Sequence, residues 1–153
     1  MTFVPSENSD PATSEVVIND GFYPDLLLDE FQSRMDVGDD VQAARMINVV
    51  TEAMYEINAS LSEWRLTLVE YTTLEDVPSD VYGTVIQKIW LYEAAIFNRA
   101  RALLLETRRD YDTTKAGRDK ADMVELPSDT YFRASHEALT RLMDRPRSTI
   151  ELI

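Results

Sequence analysis

Residues 81–109 read VYGTVIQKIWLYEAAIFNRARALLLETRR, and the width of their apolar arc decides the fold. Val81, Val85, Ile89, Tyr92 and Ile96 form one stripe at helical spacing, while Tyr82, Ile86, Trp90 and Phe97 form a second beside it. A helix with one neighbour needs only a narrow stripe. Two stripes predict a long helix held by two partners, the second being either another helix of this chain or another subunit.

The first partner lies just upstream. Ile47, Val50, Met54, Ile57, Leu61, Trp64 and Leu68 recur at alternating spacings of three and four, one apolar stripe down a helix from Val41 to about Glu70, roughly 45 Å long. TTLEDVPSD (72–80) connects the two, with Pro78 breaking the pattern and Ser79 or Asp80 as the N-cap. A third helix is expected from Pro127-Ser128-Asp129 to Met143. Phe132, His136, Leu139 and Met143 share a face there, which makes His136 a core histidine. Arg145-Pro146 ends that helix, and RSTIELI (147–153) alternates polar and apolar residues as an extended segment does.

Upstream, DLLLDEFQSRM (25–35) suits about two helical turns with Leu27, Leu28, Phe31 and Met35 on one side, stopped by Gly38-Asp39-Asp40. Asp20-Gly21 is a turn signal, and VVIND (16–20) is a short apolar patch able to dock. Residues 1–15 are rich in Ser, Pro, Asp and Glu and read as a mobile arm. The expected fold is therefore all-α: a helical bundle with two long antiparallel helices, a third C-terminal helix, and extended N- and C-terminal segments. Residues 1–17 form a flexible acidic arm, 18–143 the helical domain and 144–153 the tail.

Composition narrows the function. The 153 residues are enough for one domain with its own core. The chain has no cysteine and one histidine, which excludes thiolate chemistry and argues against a histidine metal site. Of the net charge of −13, residues 1–40 hold −9, ten acids against Arg34 alone. Acidity of this size repels nucleic acid at long range. The start MTFVPSENSDPATSE lacks the basic and apolar runs of a secretory signal, and no apolar stretch approaches the ~20 residues of a membrane span. The chain reads as soluble and intracellular in the cell that makes it.

No catalytic set emerges. Gly21, Gly38, Gly83 and Gly117 are isolated from one another, unlike the glycines of a phosphate loop. His136-Glu137 opens like a zinc-protease helix, but Thr140 stands where the second histidine is needed. The NDG turn follows Val16, Val17 and Ile18, where a calcium loop needs oxygen ligands. The expectation is no enzyme, no metal and no cofactor.

RDYDTTKAGRDKAD (109–122) is the most charged stretch. Seven bases and four acids lie between Arg99 and Lys120. A solvated helix end favoured by the helix dipole is the plain reading. A small helical DNA-binding regulator using 99–120 is the alternative, weakened by Asp110, Asp112 and Asp119 facing the same phosphates. A joint between subunits suits the mixture best, with Arg108, Arg109, Asp110, Tyr111, Asp112, Arg118 and Asp119 as the contacts.

Four segments, in order, carry a family likeness: NDGFYPDLLLDEF (19–31), NASLSEWR (58–65), RDYDTTKAGRDKAD (109–122) and DRPRSTIELI (144–153). From about Ile18 onward the chain resembles the head completion proteins, or head–tail connectors, of contractile-tailed temperate bacteriophages. Asp144 stands where that pattern has a glycine before Arg-Pro-Arg, and residues 1–17 have no counterpart. The resemblance implies an adaptor domain at 18–143 that assembles as a ring of about twelve copies beneath the portal protein. It implies retention of packaged DNA, which passes through the lumen without specific binding, and a surface for the neck or tail terminator protein. It places the protein in the virion neck, and in the host cytoplasm during assembly, with no membrane association. It makes the tail residues Arg145, Pro146, Arg147, Ile150, Leu152 and Ile153 the portal-binding set.

Overall fold

A computed structural model describes residues 15–112 and 126–145 of the chain. In order these form β1 (Val16–Val17), β2 (Leu26–Leu27), α1 (Leu28–Arg34), α2 (Ala43–Ser60), α3 (Ser62–Leu66), a 3-10 turn (Leu74–Asp76), β3 (Val81–Tyr82), β4 (Val85–Ile86), α4 (Gln87–Asp112) and α5 (Ser128–Leu142).

The long helix α4 is the centre. It packs against α5 on one side and α2 on another, so the second partner that its wide arc required is a helix of the same chain. Both neighbours run antiparallel to it. Ser135 of α5 sits opposite Ala95, donating from Oγ to its carbonyl at 2.6 Å, and Asp144 beyond α5 reaches Lys88 at 3.0 Å. On the other side Asn58 of α2 meets Tyr92, Glu56 meets Arg99, and Asp40 meets Arg108. Tyr92, Ile96, Phe97 and Leu104 of α4 are fully buried with Phe31, Val50, Leu61, Leu74 and Leu142. Phe31 and Phe97 meet at 5.6 Å between ring centroids, tying α1 into the same core.

The expectation of an all-α chain is corrected by two small antiparallel sheets, β1 with β2 and β3 with β4. The helix expected from Val81 begins at Gln87, and its first six residues are a hairpin instead. Tyr82 pairs with Val85, leaving Gly83-Thr84 as a two-residue loop, and Gly83 has φ +64°. A glycine at the first central position is what a tight hairpin turn of matching twist needs. The flanking Val, Tyr, Val and Ile are strand formers that fit the helical template only by spacing. Ser79 does cap α4, accepting the Lys88 N–H at 3.0 Å, but reaches it across the hairpin.

The helix expected over 41–70 divides at Leu61. Asn58, Ser60 and Ser62 are weak helix formers that compete for backbone groups, and Ser60 Oγ donates back to the Glu56 carbonyl. Leu26 and Leu27, expected in the first helix, pair with Val17 and Val16 instead. His136 is exposed, contrary to the core position expected for it. The buried face of α5 is Ser135, Ala138, Leu139 and Leu142, one residue round from the expected stripe.

The third helix ends where expected, in a detail that explains the unusual Asp144. Its φ is +52°, the left-handed position that glycine takes most easily. The Asp144 N–H bonds the Arg141 carbonyl and the Arg145 N–H bonds the Thr140 carbonyl, the paired closing bonds of a helix C-terminus. An aspartate there is strained more than glycine, and its carboxylate is held by Lys88, only 8% exposed.

Candidate functional site

Two of the four sequence segments behind the family likeness, far apart in the chain, converge. Asp20-Gly21 makes the expected turn, with Gly21 at φ +92° and Asp20 Oδ1 accepting the N–H groups of Phe22 and Tyr23. That turn delivers Asn19 to α2 and α4. Asn19 Nδ2 donates to the Tyr92 hydroxyl at 2.7 Å, the Tyr92 hydroxyl donates to Asn58 Oδ1 at 2.7 Å, and Asn58 Nδ2 donates back to Asn19 Oδ1 at 3.0 Å. The three side chains form a closed cycle in which each donates and accepts, so each bond polarises the next. Burial raises the Tyr92 phenol far above its ordinary pKa, which keeps it a donor.

Around this cycle, Arg65 of α3 pairs with Asp20 and lies over the Phe22 ring, 4.7 Å from its centroid. Tyr23 stacks on Tyr92 at 4.6 Å with the rings parallel within 4°, and burial pushes its phenol up to about 12. The Leu74 N–H bonds the Phe22 carbonyl, fastening the connector to the same knot. The likeness at 19–31 and 58–65 is therefore carried partly by residues that hold this architecture. They clasp β1, the turn, α2, α3 and α4 into one body. Nothing in a single sequence announces that Tyr92 is the third member of the cycle.

The site residues expected from sequence are distributed unevenly over the described chain. Arg108 pairs with Asp40 of its own chain at 2.8 Å. Arg109, Asp110, Tyr111 and Asp112 lie on the last turn of α4 by their backbone, and their side chains fall outside the described residues, as do Arg118 and Asp119. In the tail, Arg145 is exposed beside the end of α5, while Pro146, Arg147, Ile150, Leu152 and Ile153 lie outside the described residues. Of the bases proposed for a DNA-binding reading, Arg99 pairs with Glu56, Arg108 with Asp40, and Arg101 is buried with its guanidinium over Tyr131. These three described bases are engaged within the chain, while Arg109, Lys115, Arg118 and Lys120 have side chains outside the described residues.

A groove of about 670 Å³ opens on the far side of the hairpin, between α1 and the start of α4. Its floor is apolar, from Val85, Ile86, Ile89 and Trp90, and its rim is acidic, with Asp29, Glu30, Glu75 and Glu93 against Arg34. Arg34 lies 5.2 Å from the Trp90 ring centroid and 3.5 Å from Glu93. Burial pushes the Glu93 carboxyl up to about 7, a hydrogen bond with Glu30 adds to the rise, and Arg34 opposes it. Because the folded chain holds this proton more tightly than the unfolded one, the contribution is complete below pH 4.5 and is lost as pH rises through 7. Glu93→Gln removes the titration. The stability of that variant relative to the parent should rise between pH 5 and pH 8, by on the order of 1–2 kcal/mol after solvent screening. Thermal melts of both chains across that range check it.

Among the described residues there is no cluster of His, Cys, Asp and Glu able to hold a metal, and no helix long and apolar enough to cross a membrane. Comparison with known proteins gives the identity. The family model for phage head completion protein (GPL) matches residues 17–153. The chain belongs to that family. Among curated relatives, the head completion/stabilization protein of Escherichia phage P2 is 33% identical over 146 residues, covering 94% of this chain and 86% of the relative. No solved structure matches significantly. As a phage head completion protein the chain is a structural component of the virion.

Proposed function

We propose that this head completion protein is an adaptor forming a ring under the portal, retaining packaged DNA and offering the attachment surface for neck or tail proteins. In this reading residues 18–143 are the adaptor domain, 144–153 the portal-binding tail and 1–17 an acidic arm whose last two residues, Val16 and Val17, are fixed to the domain as β1, and the chain performs no catalysis. The family membership carries the proposal. The surface supports it: Val81, Tyr82, Val85 and Trp90 stay 44–66% exposed together on the hairpin and the first turn of α4. Such a surface suits contact with a neighbouring copy.

The acidic surplus fits a lumen along which DNA slides, since like charge denies phosphates a point of attachment. The mixed-charge segment 108–122 is assigned to the joint between subunits, where alternating Arg and Asp set register. Sedimentation of the purified protein, alone and with the portal ring of the same phage, tests the reading. A light species should become a heavy stoichiometric complex on addition of portal. Absence of any complex at several salt concentrations would remove the adaptor assignment.

A further inference from the structure

The groove between α1 and α4 has an acidic rim and an apolar floor, and the chain leaves α5 beside the first turn of α4, about half a helix circumference away. Asp144 is ion-paired to Lys88, so the backbone that continues past Arg145 starts beside the first turn of α4. Ile89, Trp90 and Glu93 lie between roughly 100° and 200° round that helix from Lys88, and Ile86 of β4 lines the same groove. Passing to them means following about half the circumference of a helix 10–12 Å across, some 15–19 Å. Residues 146–153 span up to ~26 Å when extended. The segment is long enough to reach its own groove.

Its chemistry also matches. Arg147, with Arg145 before it, complements the rim carboxylates Asp29, Glu30 and Glu75, Glu93 being already paired with Arg34. Ile150, Leu152 and Ile153 supply apolar side chains for the floor formed by Val85, Ile86, Ile89 and Trp90. Trp90 is 47% exposed without such a cover. Arg34, the one base among the described lining residues, is ion-paired with Glu93, which offsets part of its repulsion of an incoming guanidinium.

We propose that residues 146–153 seat in the groove of their own chain, covering Trp90 and the apolar floor, and so form an intramolecular latch. The latch keeps apolar residues of the tail out of water in the free subunit and releases them when a tighter site is offered. Nothing in the latch depends on what that second site is, so it stands apart from the portal reading.

A labelled peptide with the sequence of residues 145–153, followed by fluorescence anisotropy, tests it without portal. The full chain is compared with the full-length variant carrying Ile150→Asp and Leu152→Asp, whose own tail no longer fits. A tail tethered by a few residues has an effective concentration near millimolar, so the peptide should bind the variant about ten-fold more tightly than the parent. Adding Glu75→Lys, an exposed position on the rim, should weaken the peptide several-fold in the variant while far-ultraviolet circular dichroism stays unchanged. Equal affinity for parent and variant, or binding to neither, overturns the latch. Self-association of the parent that the tail substitutions abolish would place the tail in a second copy and overturn it equally.

Discussion

Asn58→Ala is expected to lower the stability of the folded chain by about 2–3 kcal/mol, among the largest losses for any polar position. The amide both accepts from the Tyr92 hydroxyl and donates to Asn19. Its removal opens the cycle at two bonds and strands a hydroxyl on Tyr92, a fully buried residue. A buried donor without a partner retains its whole desolvation penalty, whereas a normal hydrogen bond contributes only a modest net amount. Tyr92→Phe should be milder, about 1–2 kcal/mol, because Asn19 Nδ2 keeps the Pro24 carbonyl and Asn58 keeps its bond to Asn19. Urea unfolding checks the series. With a slope of ~1–3 kcal/mol/M for a chain of this size, Asn58→Ala should shift the midpoint by about 1 M at constant slope. A shift corresponding to less than ~0.5 kcal/mol would show that the cycle is incidental to stability.

On the adaptor reading, deleting residues 146–153 is expected to abolish portal binding while leaving the melting temperature within a few degrees. The described core closes without this segment: α5 is capped at Asp144 and Arg145 by its own carbonyls, and Leu142 is already fully buried. The small thermal effect follows from losing only the latch contacts, since 1 kcal/mol moves the midpoint of a chain this long by roughly 2–4 °C. The large effect on assembly follows from moving the anchors Ile150, Leu152 and Ile153 out of reach of any docking groove or sheet edge. Co-sedimentation with portal rings and a thermal melt of the same sample check both halves. Retained portal binding would relocate the contact to the helical body, where the exposed hairpin is the next place to substitute.

How much of this was legible in the sequence varies by element. The α2 stripe from Ile47 to Ile57 and the arc of α4 from Ile89 onward were plain, because a packed helix repeats its apolar residues every third and fourth position whatever its context. The hairpin at 81–86 was not, because Val81, Tyr82, Val85 and Ile86 satisfy helical spacing and strand alternation alike over so short a run. Gly83 held the only distinguishing signal. His136 was misplaced by one position on its helix, since Phe132, His136, Leu139 and Met143 share a spacing but α4 approaches on the neighbouring face, through Ser135 and Leu142.

The polar cycle lay further from reach. The turn at Asp20-Gly21 could be read locally, yet Asn19 finds Asn58 and Tyr92 at separations of 39 and 73 residues. The surface groove was equally invisible, because its floor comes from the hairpin and α4 and its rim from α1 and the 3-10 turn.

By itself the sequence determined the long helices, though not the two small sheets beside them, that the longest helix needs two partners, though not which the second would be, and a phage head completion resemblance. These are properties of local periodicity, composition and ordered segments, which need no knowledge of what touches what. Only the tertiary structure decided that residues 81–86 are a hairpin, that Asn19, Asn58 and Tyr92 close a cycle, and that an acidic groove opens between α1 and the start of α4. Each of those depends on contacts between segments distant in the chain, whose pairing is set by the packing of the whole core.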